Sequence, residues 1–400
     1  MTEIPQNRLE QKIHTLTHRP TFMFALFSST SMTVLGGTII ATSIPAIERH
    51  FANIEHITIL AKLVLTLPAL FIMIFSPLSG LLIDKFGRLK FLVSSMVLWS
   101  ISGMAGALWD NIYWILFTRS FFGIATAFVM TSASALVADY YVGEDRQKAL
   151  GLQGFATACG SAVFMSIGGI LAHFDWHYPF YVYGLGILLT FFVVSTLFEP
   201  RVYKKVTHVE SSSKDFNVVS ILPCYFFGFI IMAAYYTSPT QIPTLITDNL
   251  GKSEMIVGFC ISASAFAYGI SSLSYPRIRN LLSVKGVYIL GFACMGSGFL
   301  LIYILHNIYA VVFGLLLVGI GGGAIIVNNS SFLLSIVPKE HIGKAIGILS
   351  ATACFGQFVS PFFSQPIVHR YGIIDLFLYV ALLLFAMSLL SLLNRNKKTC

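Results

Sequence analysis

Residues 57–90 read ITILAKLVLTLPALFIMIFSPLSGLLIDKFGRLK. Within this stretch, residues 57–83 carry a single charged side chain, Lys62. About 20 consecutive apolar residues are enough for a helix to cross the hydrocarbon core of a bilayer, so the stretch predicts a membrane-spanning helix. It ends abruptly in DKFGR at 84–88, a change from apolar to basic sequence that is typical of a membrane surface.

Similar apolar blocks follow one another along the whole chain. Hydrophobic residues make up 56% of the 400 residues and charged residues only 10%, against about 25% charged residues in soluble domains. Because backbone groups in lipid must be paired internally, we interpret each block as a helix, and the predicted fold class is an all-α membrane protein with twelve transmembrane helices. The predicted spans are 21–45, 57–83, 91–109, 112–139, 149–172, 178–198, 218–243, 255–275, 287–305, 308–336, 345–368 and 373–393.

The basic residues predict the orientation of the chain. Of the 25 Lys and Arg residues, 20 lie in the N-terminal tail, the even-numbered loops or the C-terminal tail. The positive-inside rule then places both termini in the cytoplasm and predicts a multi-pass protein of the cell inner (plasma) membrane. The net charge of +8 follows from this distribution over separate loops, so we expect no binding to nucleic acid.

The two halves of the sequence repeat one plan. At an offset of 196 residues, KALG at 148–151 aligns with KAIG at 344–347. Three further pairs keep this offset, namely Glu144 with Glu340, Gly160 with Gly356, and His173 with His369. The predicted domains are an N-terminal six-helix bundle at 1–198, a cytoplasmic linker at 199–217 and a C-terminal six-helix bundle at 218–400. Two such bundles that rock around a central site are typical of alternating-access transport.

The loop between spans two and three carries the most informative motif. Gly80 is followed by DKFGR at 84–88 and by Lys90. This pattern resembles the cytoplasmic-loop signature of the major facilitator superfamily, a glycine followed by D-[KR]-x-G-[RK] and further basic residues. The resemblance extends to length, span count, half-repeat and loop charges. It implies the fold of that superfamily, with two pseudo-symmetric six-helix bundles.

The residue types in this loop fit a conformational gate. Gly80 permits close approach of span two to another helix, and Gly87 permits a tight turn. Asp84 can meet the positive end of a helix dipole; the resemblance implies that this helix is span eleven and that the contact locks the cytoplasmic side. It also implies that Arg88 pairs with an acid at the cytoplasmic end of span four, where Asp139 stands. The alternative is that these charges only guide membrane insertion.

Arg119 is the only well-embedded charge that the sequence predicts. It lies in TRSFFG at 118–123, which resembles the superfamily's R-x-x-x-G signature in span four. Because an arginine in lipid is costly unless it faces a cavity or a partner, we expect Arg119 to be a cavity charge that couples protons or attracts anions. The alternative is snorkelling to the membrane surface, which is the interpretation that we prefer for Lys62. No carboxylate is predicted deep in a span, which favours neutral or anionic solutes over cations.

The glycines of span five resemble a signature of drug/proton antiporters. Gly151, Gly160, Gly168 and Gly169 follow its spacing, and we expect span five to pack closely against the other bundle. The central Gly-Pro of that signature is replaced by Phe164-Met165 in this chain.

Polar side chains at membrane depth are candidates for lining a substrate cavity, and hydrogen bonding between helices is the alternative for each. They are Tyr235, Tyr236, Asn328, Asn329 and Gln357. The sequence contains no nucleotide loop, metal-ligand spacing or catalytic motif, so we expect no metal, no catalytic residue and no cofactor beyond a proton gradient. The six cysteines form no C-x-x-C pair and are expected to be free thiols.

These patterns favour a secondary transporter that moves a small organic solute by alternating access, as proton-coupled efflux of drugs or metabolites. Its partners would be the small-molecule substrate and the lipid bilayer, and a monomer is expected. An alternative is a transporter of an anionic metabolite, such as a carboxylate siderophore or an organic acid. A non-transporting receptor on the same fold is an alternative of another class. Substrate, direction of transport, coupling ion and the acid that carries the proton remain open at this point.

Overall fold

The computed structural model describes residues 17, 19–141, 143–199, 221–338 and 341–393. Every regular element within these residues is helical. Apart from Glu199, the predicted linker at 199–217 lies outside the described residues, so the predicted domain boundaries stay a prediction. We call residues 19–199 the N-terminal half and residues 221–393 the C-terminal half.

Twelve spans follow one another in the order that the sequence predicts. The first six are Pro20–Thr38 with its extensions Ile39–Ser43 and Ile44–His50, then Ile57–Phe86, Arg88–Ala105, Ile112–Tyr140, Gly143–Phe174, and Tyr178–Tyr181 continued by Val182–Gly184 and Leu185–Thr196. The last six are Leu222–Thr244 continued by Leu245–Asn249, then Glu254–Leu281, Val284–Leu305, Ile308–Ile336, Ile342–Tyr371 and Ile373–Leu393. Nine helices in the described ranges are long and apolar enough to cross a membrane by length and composition, and spans one, three and seven complete the twelve.

Several helices extend beyond the apolar blocks that predicted them, and span two is an example. Span two is 30 residues long and ends at Phe86, past Asp84 and Lys85. At 1.5 Å per residue it measures about 45 Å, which exceeds a hydrocarbon core of about 30 Å. Helical hydrogen bonding therefore continues into the membrane surface, where charged side chains are solvated.

Span one is broken, although its sequence forms one apolar block. The α-helix stops at Thr38, a 3₁₀ segment covers Ile39–Ser43, and a new helix begins at Ile44 with Pro45 in its first turn. Proline has no N–H, which suits the first turn of a helix, so Pro45 fits the start of a new helix at Ile44. The restart carries the chain on to His50 and places Glu48 on a helix.

The ends of the spans define two sides of the molecule. We call the end that holds residues 84–90 the basic side, and the end that holds residues 50–56 the opposite side. The apolar core has two main clusters, one built from residues 22–197 and one from residues 231–387 together with Met165. Met165 thus belongs to the N-terminal half but packs in the apolar core of the C-terminal half.

Spans nine and ten pack with their backbones in contact. A Cβ on Gly298 would lie 2.4 Å from the carbonyl oxygen of Gly314, and a Cβ on Gly314 would lie 2.5 Å from the oxygen of Gly298. Small residues allow such close approach, and dispersion contacts then hold helices together where lipid removes the hydrophobic drive. Any side chain at these two positions forces the helices apart.

Replacing Gly298 with alanine tests this packing. We expect the free energy of unfolding in detergent to fall by about 1–3 kcal/mol, the usual cost of overpacking. The measurement is the thermal unfolding midpoint followed by circular dichroism. Gly154→Ala is the matched control, because no atom lies within 4 Å of a Cβ at that position. Equal midpoints for Gly298→Ala and the wild type would contradict the packing.

Candidate functional site

The basic side holds a cluster of charged residues around Arg88. The Arg88 guanidinium forms an ion pair with Asp139 at the end of span four, and its Nη2 lies 3.2 Å from Oδ1 of Asp84. Its Nη1 also donates to the carbonyl oxygen of Ala135 at 3.0 Å. The structure thus brings together the three charged residues that the sequence singled out. Arg88 joins spans two, three and four.

The two glycines of the motif differ in their surroundings. Gly87 has φ +109°, a conformation that residues with a side chain rarely adopt, so the tight turn requires glycine. Gly80 has no atom within 4 Å of the position of a Cβ, so the close helix contact expected there is not made in this conformation. The Asp84 side chain is 67% exposed.

Glu199 completes this cluster. We call it the basic cluster, after the side of the molecule on which it lies, and it consists of Asp84, Arg88, Asp139 and Glu199. Its two carboxylate oxygens accept from the backbone N–H groups of Arg88, at 2.6 Å, and Leu89, at 2.8 Å. These are free N–H groups at the start of span three, where a negative charge is favourable. The sequence placed Glu199 only at the start of the linker. Its 111-residue separation from Arg88 gave no local signal for this contact.

On the opposite side, charged residues join the two halves. Arg49 lies 2.9 Å from Asp248 and 3.0 Å from Glu254, and His173 Nδ1 lies 3.6 Å from Glu254. Arg49 and His173 belong to the N-terminal half, whereas Asp248 and Glu254 belong to the C-terminal half. The Arg49 side chain is 52% exposed, so each of these pairs contributes no more than about 1 kcal/mol.

A second layer lies beneath these pairs, centred on Lys62. The Lys62 residue is 1% exposed, and its ammonium donates to the amide oxygens of Gln241, at 3.0 Å, and Gln365. Its Nζ also lies 3.6 Å from Oε1 of Glu48. Gln241 in turn donates to the hydroxyl of Ser364 at 2.8 Å. The expectation that Lys62 snorkels to the surface is wrong, because partners from the other half satisfy its charge inside the protein.

The backbones of spans five and eight form the third layer. A Cβ on Gly169 would lie 2.8 Å from the Cα of Gly258, and Ser166 Oγ lies 3.0 Å from Ser262 Oγ. Gly169 therefore packs against the other half as the sequence predicted. We call the three layers together the opposite-side seal.

The other span-five glycines pack elsewhere. A Cβ on Gly160 would lie 3.3 Å from Ser31, and one on Gly168 would lie 2.6 Å from the carbonyl oxygen of Ile39. Both partners belong to span one, so these two glycines serve helix packing within their own half, and Gly169 makes the contact of span five with the other bundle. The surroundings of Gly151 lie outside the described residues.

Arg119 lies away from any central pathway, and the prediction of a cavity charge is wrong. It is fully buried in the N-terminal half, with its guanidinium carbon 4.7, 5.0 and 5.1 Å from the ring centres of Phe122, Phe180 and Tyr183. Its Nη2 donates to the carbonyl oxygen of Gly103 at 2.6 Å. Three aromatic faces and a carbonyl replace water around the charge, so the arginine holds spans three, four and six together.

Asn328 and Asn329 are also structural: of the two interpretations left open, hydrogen bonding between helices is the one found, and lining of a cavity is not. Asn328 accepts from Tyr275 at 3.2 Å and donates to the carbonyl oxygen of Val284 at 3.1 Å. Asn329 accepts from Tyr288 at 2.6 Å and donates to the carbonyl oxygen of Cys224 at 2.9 Å. Both residues are 0% exposed. Both amide atoms of each residue bond to neighbouring helices, and the burial of the two side chains keeps them from a solute.

The remaining polar candidates lie on spans seven and eleven. Tyr235 and Tyr236 are partly buried, and the Tyr235 ring centre is 5.3 Å from that of Tyr268 on span eight. Gln357 is partly buried, and its Nε2 lies 3.6 Å from Sδ of Met232. These side chains form an aromatic, weakly polar surface in the C-terminal half. No cluster of His, Cys, Asp or Glu able to hold a metal occurs in the described ranges.

The sequence did not reveal the two polar layers of the opposite-side seal, around Arg49 and around Lys62. Lys62 is separated from Gln241 by 179 residues and from Gln365 by 303 residues, and no local pattern connects them. Only Lys62 carried a signal, as a charge inside an apolar block. Glu48 was not identified as a buried charge, because the apolar block that predicted span one ends at residue 45, whereas the helix continues to His50.

Arg119→Lys tests the structural role of the arginine. Lysine keeps the charge but lacks the planar guanidinium that contacts three rings, so we expect a loss of about 2 kcal/mol in the free energy of unfolding. The measurement is thermal unfolding in detergent, with the exposed Arg277→Lys as the matched control. A stable Arg119→Lys protein that loses transport of anions alone would place Arg119 in the pathway after all.

Comparison with known proteins agrees with this architecture. The sequence profile of the Major Facilitator Superfamily matches residues 26–240 and 221–399. The chain is 26% identical over 269 residues to Multidrug resistance protein 2 of Bacillus subtilis, covering 61% of this chain and 66% of the relative. It is 24% identical over 362 residues to the multi-drug resistance efflux pump PmrA of Streptococcus pneumoniae, covering 84% and 88%. It is 25% identical over 350 residues to the class B tetracycline resistance protein of Escherichia coli, covering 82% and 85%.

A solved structure shares the fold. It is the crystal structure of a bacterial homologue of the human lysosomal transporter Spinster in an inward-facing and occupied conformation, with a TM-score of 0.78. The identity is 14%, and the match covers 94% of this chain and 97% of that one. With two profile matches that together span nearly the whole chain, and twelve helices in this arrangement, the protein belongs to the major facilitator superfamily of membrane transporters.

Proposed function

We propose that the chain exports a small organic solute, a drug or a metabolite, across the inner membrane in exchange for protons. In this proposal the basic side is cytoplasmic, because it carries most of the positive charge. Both termini then lie in the cytoplasm, and the chain works as a monomer. The resistance proteins that the chain resembles support the efflux direction and the class of solute.

The observation that carries the proposal is the unequal packing of the two sides. The opposite-side seal joins the halves by ion pairs, hydrogen bonds and backbone contact. On the basic side, Gly80, Gly154 and Gly347 each have no described atom, apart from their own helix backbone, within 4 Å of the position of a Cβ. A carrier that alternates between two openings needs one side closed while the other is open. This conformation is the one that would accept a solute from the cytoplasm.

The basic cluster supplies the lock for the reverse conformation. Asp84 is exposed here, and Gly80 has room for a neighbouring helix. When the basic side closes, we expect the start of span eleven to approach both residues, so that Asp84 meets the positive end of its dipole. Arg88 and Asp139 then hold the loop in position for that contact, which is the gating role that we propose for this cluster.

The solute would lie between the halves, near the aromatic surface of spans seven and eight. Tyr235, Tyr236 and Gln357 are the lining residues that we propose, joined by Tyr268 through its ring contact with Tyr235. Rings and a single amide fit an apolar or aromatic solute with few polar groups. The alternative of an anionic metabolite depended on Arg119, and that residue is enclosed by the N-terminal half. No contact in the described residues favours the receptor alternative.

Transport by proteoliposomes tests the proposal. Tetracycline and doxycycline, which carry no net positive charge near neutral pH, serve as probes. We expect both to accumulate in vesicles with an acidic lumen faster than in vesicles without a pH gradient. Accumulation is measured by fluorescence, and protein-free vesicles correct for passive entry. Accumulation that is indifferent to the gradient would refute proton coupling, and no accumulation of either probe would refute export of this class of solute.

A disulfide across the opposite-side seal tests alternating access. In a variant without the six native cysteines, Ser166→Cys and Ser262→Cys would place two thiols where hydroxyls lie 3.0 Å apart, close enough to bond with small adjustments. We expect oxidation to abolish accumulation and a reductant to restore it, since the seal can no longer open. The single Ser166→Cys variant is the control. A complete disulfide that leaves transport unchanged would contradict the mechanism.

A further inference from the structure

Glu48 is a buried carboxylate to which the transport cycle above gives no task. It lies on the helix Ile44–His50, and its side chain is 11% exposed. Its Oε1 lies 3.6 Å from Nζ of Lys62, beyond the range of a normal hydrogen bond. A buried carboxylate with so distant a counter-ion is poorly compensated for the loss of water.

The C-terminal half competes with Glu48 for Lys62. The Lys62 ammonium donates to Gln241 and Gln365, which both belong to that half and are within hydrogen-bond reach only while the seal is closed. When the halves separate on this side, both amide oxygens leave, and Glu48 is the acceptor that stays with Lys62. Closing the seal therefore draws the ammonium away from Glu48 as it excludes water.

The charges facing Glu48 differ in their effect, since the two cations favour its ionised form and the one carboxylate favours its neutral form. They are Lys62 on span two, Arg49 on its own helix, and Asp248 in the turn after span seven. Asp248 comes from the C-terminal half, so closure brings a second carboxylate towards Glu48. Arg49 compensates little, because it is shared between Asp248 at 2.9 Å and Glu254 at 3.0 Å. Burial, loss of a donor and a like charge all favour the neutral carboxyl.

We propose that Glu48 takes up a proton from the solution on the opposite side, and that this uptake drives the seal to close. The inference rests on the proposed proton-coupled transport and names a residue through which the proton acts. A group that binds its proton more tightly in the closed state makes acid favour that state, since linkage is reciprocal. In an exporter, a proton from the outer solution would then return the carrier to the conformation that is open to the cytoplasm, after the solute has left.

Distances between the halves measure this effect without a substrate. Nitroxide labels on Asn53→Cys and Lys252→Cys, both at exposed positions of the opposite side, report the seal in a variant without native cysteines. Double electron–electron resonance in lipid nanodiscs would follow the distance from about pH 5 to about pH 9, a range that covers a carboxyl shifted by burial. We expect the short-distance population of the wild-type background to grow as pH falls.

Glu48→Gln imitates the protonated state, and we expect it to show the short distance throughout the range. Glu55→Gln is the matched control, because Glu55 is 89% exposed in the adjacent loop and pairs with His56 of the same loop. It should keep the pH response of the wild type. A Glu48→Gln protein that still titrates like the wild type, or a wild type whose distance ignores pH, overturns the inference.

Asp248→Asn provides a second test that keeps Glu48 in place. Without the carboxylate that approaches on closure, Glu48 stays ionised to lower pH. The pH at which the short distance appears should therefore fall. An unchanged pH for this transition contradicts the proposal. The two proposals can fail separately. If the proteoliposomes show gradient-driven uptake but Glu48→Gln keeps the pH-dependent distance of the wild type, only the role of Glu48 is refuted. A pH-dependent distance that Glu48→Gln abolishes, without gradient-driven uptake, refutes proton-coupled export alone.

Discussion

A charge enclosed in a membrane protein must find its partners within the chain, and this requirement explains where Arg119 and Lys62 lie. Arg119 is enclosed by three rings and a carbonyl of its own half, so its surroundings need not change when the halves move. Lys62 takes two of its partners from the other half, so every opening of the seal must resolvate it. The same physical demand produces a permanent brace in one place and a reversible contact in the other.

The two sides of the protein close by different chemistry. The opposite-side seal combines exposed ion pairs, buried amides and backbone contact, so its strength is distributed over three layers. The basic cluster belongs entirely to the N-terminal half, with Arg88 joining three of its spans and Glu199 covering the start of span three. In our proposal it is a preformed site that gains a partner when the basic side closes, whereas the seal exists only through both halves. In our proposal, acid on the outer side acts on the seal alone.

Local sequence predicted what local physics controls. Long apolar blocks located all twelve spans, because residue type along the chain determines where a helix can cross the membrane. The contact between Arg88 and Asp139 was implied by the resemblance of the DKFGR motif to the superfamily signature. A single polar residue in an apolar block does not indicate which way its side chain points. Arg119, Asn328 and Asn329 were therefore candidates for a cavity that they do not line. Contacts between distant spans, such as Lys62 with Gln365, depend on how the two halves meet. That arrangement is a property of the tertiary structure.

The meeting of Gly169 with Gly258 affects how fast such a protein can work. Interlocked side chains would have to disengage and choose new rotamers in each turnover, which adds friction to the motion. Here main chain lies against main chain, with a gap that no Cβ could enter. The two backbones can therefore separate and return at this point without any side chain having to change its rotamer.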